Sequence, residues 1–327
     1  MDPVDAVRER YDRFARTEAP GRSELYRGWA AGIAADPDAA ATLARIPDTH
    51  RQPTLVFAVA RLLGAPEAGF GVFSSWLAAH ADDVVAECGR RSIQTNEPLR
   101  CAALLPALAL IEGPIALLEL GASAGLCLYP DRYSYRYAAE GGIRALDPAA
   151  GESAVVLQSA VRGDAPLRMP EIVWRAGIDL EPRNPADLDD RAWIAGLVWP
   201  GERGRVERIT AALDIAASDP PLLVAGDAAD ALPALAAQAP AGTTLVVTTP
   251  GVLAHVPRRR RGAVIDAARA AGRWITIDEP GLHDGWRAVP DPWPGGFALA
   301  LDGLVLAAVD PLGAHVAWLP GASVPRT

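Results

Sequence analysis

Leu117-Leu118-Glu119-Leu120-Gly121-Ala122-Ser123-Ala124-Gly125-Leu126 is the stretch on which the fold of this 327-residue chain is read. The run from Ile115 to Leu120 is short and apolar, as a strand buried on both faces of a sheet should be. Gly121 permits a tight turn at the carboxyl end of that strand. Small residues at 122–125 let a ligand lie against the backbone, near the start of a helix expected over Gly125 to Tyr133. The spacing is E-x-G-x-x-x-G, whereas a dinucleotide loop reads G-x-G-x-x-G, and Ser123 stands at its middle glycine. No G-x-x-x-x-G-K-[ST] phosphate loop is present. The pattern points to a nucleoside with an amino-acid tail, with Glu119, Gly121, Ser123 and Gly125 around it. A glycine-rich turn without a ligand is the competing reading.

Working outward, such a ligand needs a carboxylate at the end of the second strand for the ribose hydroxyls. It also needs an acid or amide after the third strand for the base. Asp179 in Gly177-Ile178-Asp179-Leu180 and Asp227 in Gly226-Asp227-Ala228 have these shapes. Asp179 lies well beyond the usual gap of roughly 20 residues, so an insertion near 134–170 is expected. Glu140 competes at the ordinary distance, and helix capping competes for Asp227.

Strands are expected at 154–161, 171–180, 222–225, 243–249 and 273–278. Helices are expected at 186–197, 203–217, 231–239 and 258–271. A closing hairpin joins 297–301 to 304–309 through Asp302-Gly303. This grammar implies an open, mostly parallel sheet with helices on both faces.

The region before Gly113-Pro114 reads as helices instead. Val7, Tyr11, Phe14 and Ala15 recur at helical spacing, Ser23 opens a second helix, and Asp36-Pro37 opens a third. Further helices are expected at 53–63, at 70–90, and from Glu97 to Leu110 with Asn96 as cap. The expected organisation is a helical N-terminal lid or substrate domain over 1–110 and an α/β domain over 111–327.

Ligands in such sheets sit outside the carboxyl ends of the strands. The segment Thr248-Thr249-Pro250-Gly251-Val252-Leu253-Ala254-His255 falls there, and His255 is a candidate general base. Asp278-Glu279-Pro280-Gly281, with His283 nearby, faces the same place, and Glu279 joins the catalytic candidates. Each has a structural alternative, a satisfied histidine or an ordinary acidic turn.

Half the residues are hydrophobic and 22% are charged, a globular composition. The net charge of −9 argues against a nucleic-acid partner. All 31 basic residues are Arg, which excludes lysine Schiff-base chemistry, and the run Arg258–Arg261 is too short to change the charge argument. Cys88, Cys101 and Cys127 show no metal spacing, which suggests a reducing compartment and no structural zinc. The apolar stretch Cys101 to Ile111 is too short to span a membrane. No signal pattern opens the chain, so a cytoplasmic location is expected. Seven of the nine Trp residues, Trp174, Trp193 and Trp199 among them, lie in the later half, where packing competes with substrate contact.

With these residues in view, the chain resembles the largely actinobacterial family called domain of unknown function 2332. The resemblance runs nearly end to end. It is carried by Tyr11-Asp12-Arg13-Phe14-Ala15, Arg51-Gln52-Pro53, Gln94-Thr95-Asn96-Glu97 with Arg100, and Leu118 to Leu126. Asp131-Arg132-Tyr133, Gly177 to Leu180, Leu197-Val198-Trp199-Pro200 and Gly226-Asp227-Ala228 complete it. The resemblance implies a class I methyltransferase-like (Rossmann-like) fold, with Gly121, Ser123 and Gly125 lining the cofactor. Gln94, Asn96, Glu97 and Arg100 would face the cleft, Glu97 as a catalytic candidate and the others, with Trp174, as substrate contacts. Anchoring of the following helix is the alternative for 94–100. The family usually has Asn at the positions of Cys127 and Glu181, and an aromatic-histidine segment where Thr248 to Gly251 stand. These departures suggest a specialised relative, as in secondary metabolism.

The expectation is therefore an S-adenosylmethionine-dependent methyltransferase-like enzyme acting on a small molecule. Two alternatives stand beside it: the fold kept for an elimination or cyclisation, and a non-catalytic partner subunit. Homo- or heterodimers fit any of the three.

Overall fold

The computed structural model describes residues 2–282 and 284–322. The chain divides into two compact units, one of residues up to 95 with 187–210, the other of 96–186 with 211 onward.

The first unit is helical. Asp2 caps α1 (Pro3–Thr17) by accepting the Val4 N–H, and the buried face of α1 is Val7, Tyr11, Phe14 and Ala15. Ser23 caps α2 (Glu24–Ala35), and Asp36 caps α3 (Pro37–Ala44). The Ala39 and Asp38 N–H groups hold the Asp36 carboxyl below its usual range. α4 (Pro53–Leu62) is buried on nearly all sides. The single helix expected over 70–90 is two, α5 (Phe70–Ala79) and α6 (Ala81–Arg90). They break at His80, whose backbone leaves the helical region at φ −118° and ψ 21°.

α7 (Arg100–Leu108) belongs to the second unit, and α8 (Leu188–Gly196) returns the chain to the first. Trp193 and Trp199 join the first unit's aromatic core, where Trp29 stacks on Phe73 at 4.1 Å. Arg61 ties the returning segment down by donating to the carbonyls of Gly196 (3.0 Å) and Val198 (2.9 Å). The division between units falls inside α9 (Arg205–Ser218).

The second unit is built on a sheet. Its strands are β1 (Pro114–Leu120), β2 (Ser134–Ala139), β3 (Gly142–Leu146), β4 (Val156–Arg162), β5 (Glu171–Asp179) and β6 (Leu222–Ala225). After α10 (Ala228–Ala236) come β7 (Thr244–Pro250), α11 (Arg258–Ala271), β8 (Arg273–Asp278), β9 (Phe297–Leu301), β10 (Leu304–Val309) and β11 (His315–Trp318). The order among the described residues is β3-β2-β4-β11-β10-β9-β8-β7-β1-β5-β6. Six of its ten ladders are parallel, so the sheet is mostly parallel as expected. The β9–β10 hairpin turns at Asp302 (φ 52°) and Gly303 (φ 81°), the left-handed pair that an Asp-Gly turn supplies.

Leu118, Leu120, Ile178, Val247 and Trp274 pack with Leu232 and Leu235 of α10 and Val264 and Ala268 of α11. α7 packs against β4, β8, β9 and β11. Among the described residues no helix is long and apolar enough to cross a membrane.

The segment expected as an insertion, 134–170, comes between the neighbouring strands β1 and β5 in sequence and contributes β2, β3 and β4 to the far side of the same sheet. One expectation fails here. The helix expected over 125–133 is only a 3-10 turn, Leu126–Leu128. Pro130 explains this, because its ring disfavours helical backbone at Tyr129, which sits at φ −117° and ψ 40°.

Candidate functional site

The loop after β1 is closed on itself by hydrogen bonds. The Gly121 and Ala122 N–H groups donate to the Ile178 carbonyl at 2.8 and 3.2 Å, and Gly125 donates to Ala122 at 2.7 Å. Ser123 donates its N–H to Asp179 Oδ2 at 2.8 Å, and Ala124 donates to Asn96 Oδ1 at 3.1 Å. Ser123 is held at φ 50°, and its hydroxyl accepts from Asn96 Nδ2 at 2.8 Å. Gly121, at φ 73°, has Val252 against it, and a Cβ there would lie 2.4 Å from Val252 Cγ2. The glycine therefore serves a close side-chain approach.

Asn96 does not cap the next helix. That helix starts at Arg100 with Leu99 at its cap, so the amide is free to clamp the loop. Glu97 is buried, and its Oε1 accepts the Leu99 N–H at 3.0 Å. The Cys127 thiol donates to the Glu97 carbonyl at 3.5 Å.

Asp179 stands at the carboxyl end of β5, beside β1, as its shape in the sequence suggested. Oδ2 takes the Ser123 N–H and Oδ1 takes the Glu181 N–H at 2.9 Å. Its competitor Glu140 is exposed in the β2–β3 turn, seven places along the sheet from β1. Asp227 follows β6 and caps α10 through the Ala229 N–H at 3.0 Å, and Arg260 donates to the same oxygen at 3.1 Å. The capping alternative for Asp227 is thus what is seen. Arg261 donates to the carbonyls of Leu253, Leu282 and Val256, so half of the arginine run is structural.

Asp179→Ala should leave the Ser123 and Glu181 N–H groups without their acceptor, costing on the order of 3 kcal/mol at about 1–3 kcal/mol per orphaned donor. Thermal unfolding reads the loss. Amide exchange should quicken at both residues, and unchanged exchange would contradict the loop's dependence on Asp179.

Two carboxyls at the carboxyl ends of the central strands are not satisfied in this way. Glu119 is 4% exposed, and its Oε2 has no hydrogen-bond partner. Lying between Leu118 and Leu120, which face α10 and α11, it points to the opposite face of the sheet. Burial, then the Cys127 thiol and Asp179, push its carboxyl well above the ordinary range, against the pull of Arg100. Asp278, at the end of β8, is 1% exposed. The Thr276 hydroxyl donates to its Oδ2, while Oδ1 is buried without a partner. Burial raises its carboxyl to about 7, with Thr276, Arg261 and Arg100 opposing. Arg100 thus acts on both acids. Its Nε donates to the Pro311 carbonyl at 3.0 Å, and its guanidinium lies against Gly251. Arg100, Gly121 and Gly251 are half-buried.

The structure thus brings together Glu97, Asn96, Arg100, Glu119, Gly121, Ser123 and Asp179. Glu279 is exposed, whereas its neighbour Asp278 is buried. His255 is exposed on a 3-10 turn after β7, with its N–H on the Val252 carbonyl. Trp174 pairs with Ala116 in the first half of β1 and packs against the apolar core, five residues before Asp179. Gln94 is half-buried in the irregular stretch that ends the first unit's opening segment. His283 lies outside the described residues. Asp278 was hard to single out because adjacent acids in a turn look alike in sequence. Strand alternation from Trp274 carries the only signal, since it turns one acid inward and the next outward.

A family model described as an uncharacterized protein conserved in bacteria (DUF2332) matches residues 8–318. No curated protein and no solved structure matches the chain.

Proposed function

Since the chain belongs to the DUF2332 family of uncharacterized bacterial proteins, we propose that it is an enzyme acting by proton transfer on a small molecule at the carboxyl ends of β1, β7 and β8. The observation that carries this reading is the pair of buried carboxyls, Glu119 and Asp278, each with an unpartnered oxygen beside one arginine. Buried polar atoms are nearly always bonded, so an orphaned carboxyl oxygen calls for a group that completes it. An acid that titrates near 7 is matched to taking or giving a proton at neutral pH. Burial pushes the Glu119 carboxyl well above its ordinary range, which favours the protonated form that can donate a hydrogen bond. Glu119 lies on the face of the sheet opposite α10 and α11, whereas Asp278, in step with Trp274 and Thr276, lies on the α10–α11 face, so a substrate would meet the two acids from the two sides of the strand ends, with Arg100 acting on both. Asp278 as base and Glu119 as acid would serve an elimination or a cyclisation.

Methyl transfer from S-adenosylmethionine is the competing reading. The central order β6-β5-β1-β7-β8 favours it, being third, second, first, fourth and fifth in the strand sequence of a doubly wound fold. The residues do not fit that cofactor as they stand. Every N–H from Gly121 to Gly125 is bonded within the protein, Val252 covers Gly121, and Asp227 is engaged by α10 and Arg260.

Incubation of the chain with a bacterial small-molecule extract, followed by mass spectrometry, separates the two. Proton-transfer chemistry predicts a transformed metabolite without added S-adenosylmethionine, faster as pH rises through about 7, and abolished in Asp278→Asn. Calorimetric binding of S-adenosylmethionine, with turnover that requires it and survives Asp278→Asn, would sink the proposal.

A further inference from the structure

A cavity of about 390 Å³ opens in the first unit. Arg13, Phe14 and Glu18 of α1 face Thr49, Gln52 and Pro53 across it. These include residues of the Tyr11–Ala15 and Arg51–Pro53 motifs, which the proton-transfer chemistry leaves unused.

The charges here are unevenly satisfied. Arg10, also on the wall, is held by Asp48 at 3.0 Å. Arg13 and Glu18 make no ion pair with each other or with any other described residue. Gln52 stands at the cap of α4 without capping it. Its Nε2 donates to the Thr49 carbonyl at 2.6 Å, and its Oε1 is buried with no partner. An acceptor left so costs about 1–3 kcal/mol unless something donates to it. Phe14 is almost wholly buried behind these groups, and with Pro53 it supplies an apolar wall.

We propose that this cavity is a binding site for a small zwitterion of the amino-acid class. The carboxylate pairs with Arg13, and the ammonium donates to Gln52 Oε1 and faces Glu18. A guanidinium and a carboxylate on the same wall select against simple anions, because Glu18 repels them, and against simple cations, because Arg13 does. The volume lies within the roughly 300–1,000 Å³ of small-molecule pockets.

Thermal unfolding of the full chain with each standard L-α-amino acid, and with acetate and glycine betaine as controls, tests the site. At least one amino acid should raise the Tm by mass action. Acetate lacks the ammonium and betaine lacks the N–H donors, so neither should. Arg13→Ala and Gln52→Leu should each remove the ligand-dependent rise, with circular dichroism confirming that both variants fold. Failure of every amino acid, an equal rise with acetate, or a rise that survives both substitutions would overturn the proposal.

Discussion

Asp278→Asn should make the chain more stable at pH 8 and leave it nearly unchanged at pH 4. The folded protein holds the Asp278 proton up to about pH 7, whereas the unfolded chain releases it near the ordinary value of 3.8. A raised carboxyl pKa therefore costs stability as pH climbs from about 4 to about 7, and the cost is flat above that window. At about 1.4 kcal/mol per unit of pKa, the loss is on the order of 4 kcal/mol at pH 8. Asn keeps the shape and cannot ionise, so the loss disappears with it. Urea unfolding of wild type and variant across this range should show curves that meet at low pH and diverge above it. Parallel curves would mean that Asp278 titrates normally. Activity should move the opposite way, because the same ionisation that strains the fold creates the base. A stabilised but inactive variant is the signature of a strained functional acid.

Trp199→Ala should cost about 4 kcal/mol, in the range of about 3–5 kcal/mol for deleting a large buried aromatic side chain. The Trp199 ring lies 5.3 Å from Phe14 and 5.7 Å from Tyr26, and the Arg22 guanidinium sits 3.6 Å above it. Those partners are more than 170 positions earlier in the chain, so the variant measures how firmly 187–210 belongs to the first unit. The loss should appear as a lower denaturant midpoint together with faster amide exchange in α1 and α2. A cost below about 1 kcal/mol, typical of surface positions, would mean that the segment is a loosely held appendage.

The same residues mark where reading the chain succeeded and where it stopped. The face of α1, the caps at Ser23 and Asp36, and the hairpin at Asp302-Gly303 were legible because each is a local rule, set by helical period, a side-chain acceptor or a left-handed turn. β1 and β5 to β8 were legible because their apolar runs are bounded by Gly, Pro and Asp. β2 is hidden in the sequence although Tyr133, Tyr135 and Tyr137 alternate, because the glycine loop before them has the form that ordinarily opens a helix, and Pro130 is what stops one. β11 is four residues long and owes its strand to pairing with β4 and β10. Trp193 and Trp199 looked like neighbours of Trp174 in sequence, yet they pack with the first ninety residues.

Glu119 to Gly125 shows the division most clearly. The sequence by itself determined that a strand ends at Leu120, that a tight turn follows at Gly121, and that a mostly parallel sheet surrounds it. Those follow from apolar patterning and from the backbone freedom of glycine, both properties of consecutive residues. Only the tertiary structure decided what the turn faces. Asn96, Asp179 and Val252 arrive from distant parts of the chain and occupy its amides and its glycine, while Glu119 and Asp278 are left with bare oxygens near Arg100. Which donors and acceptors meet is set by how strands are ordered across the sheet, and that ordering is a long-range choice no local window contains.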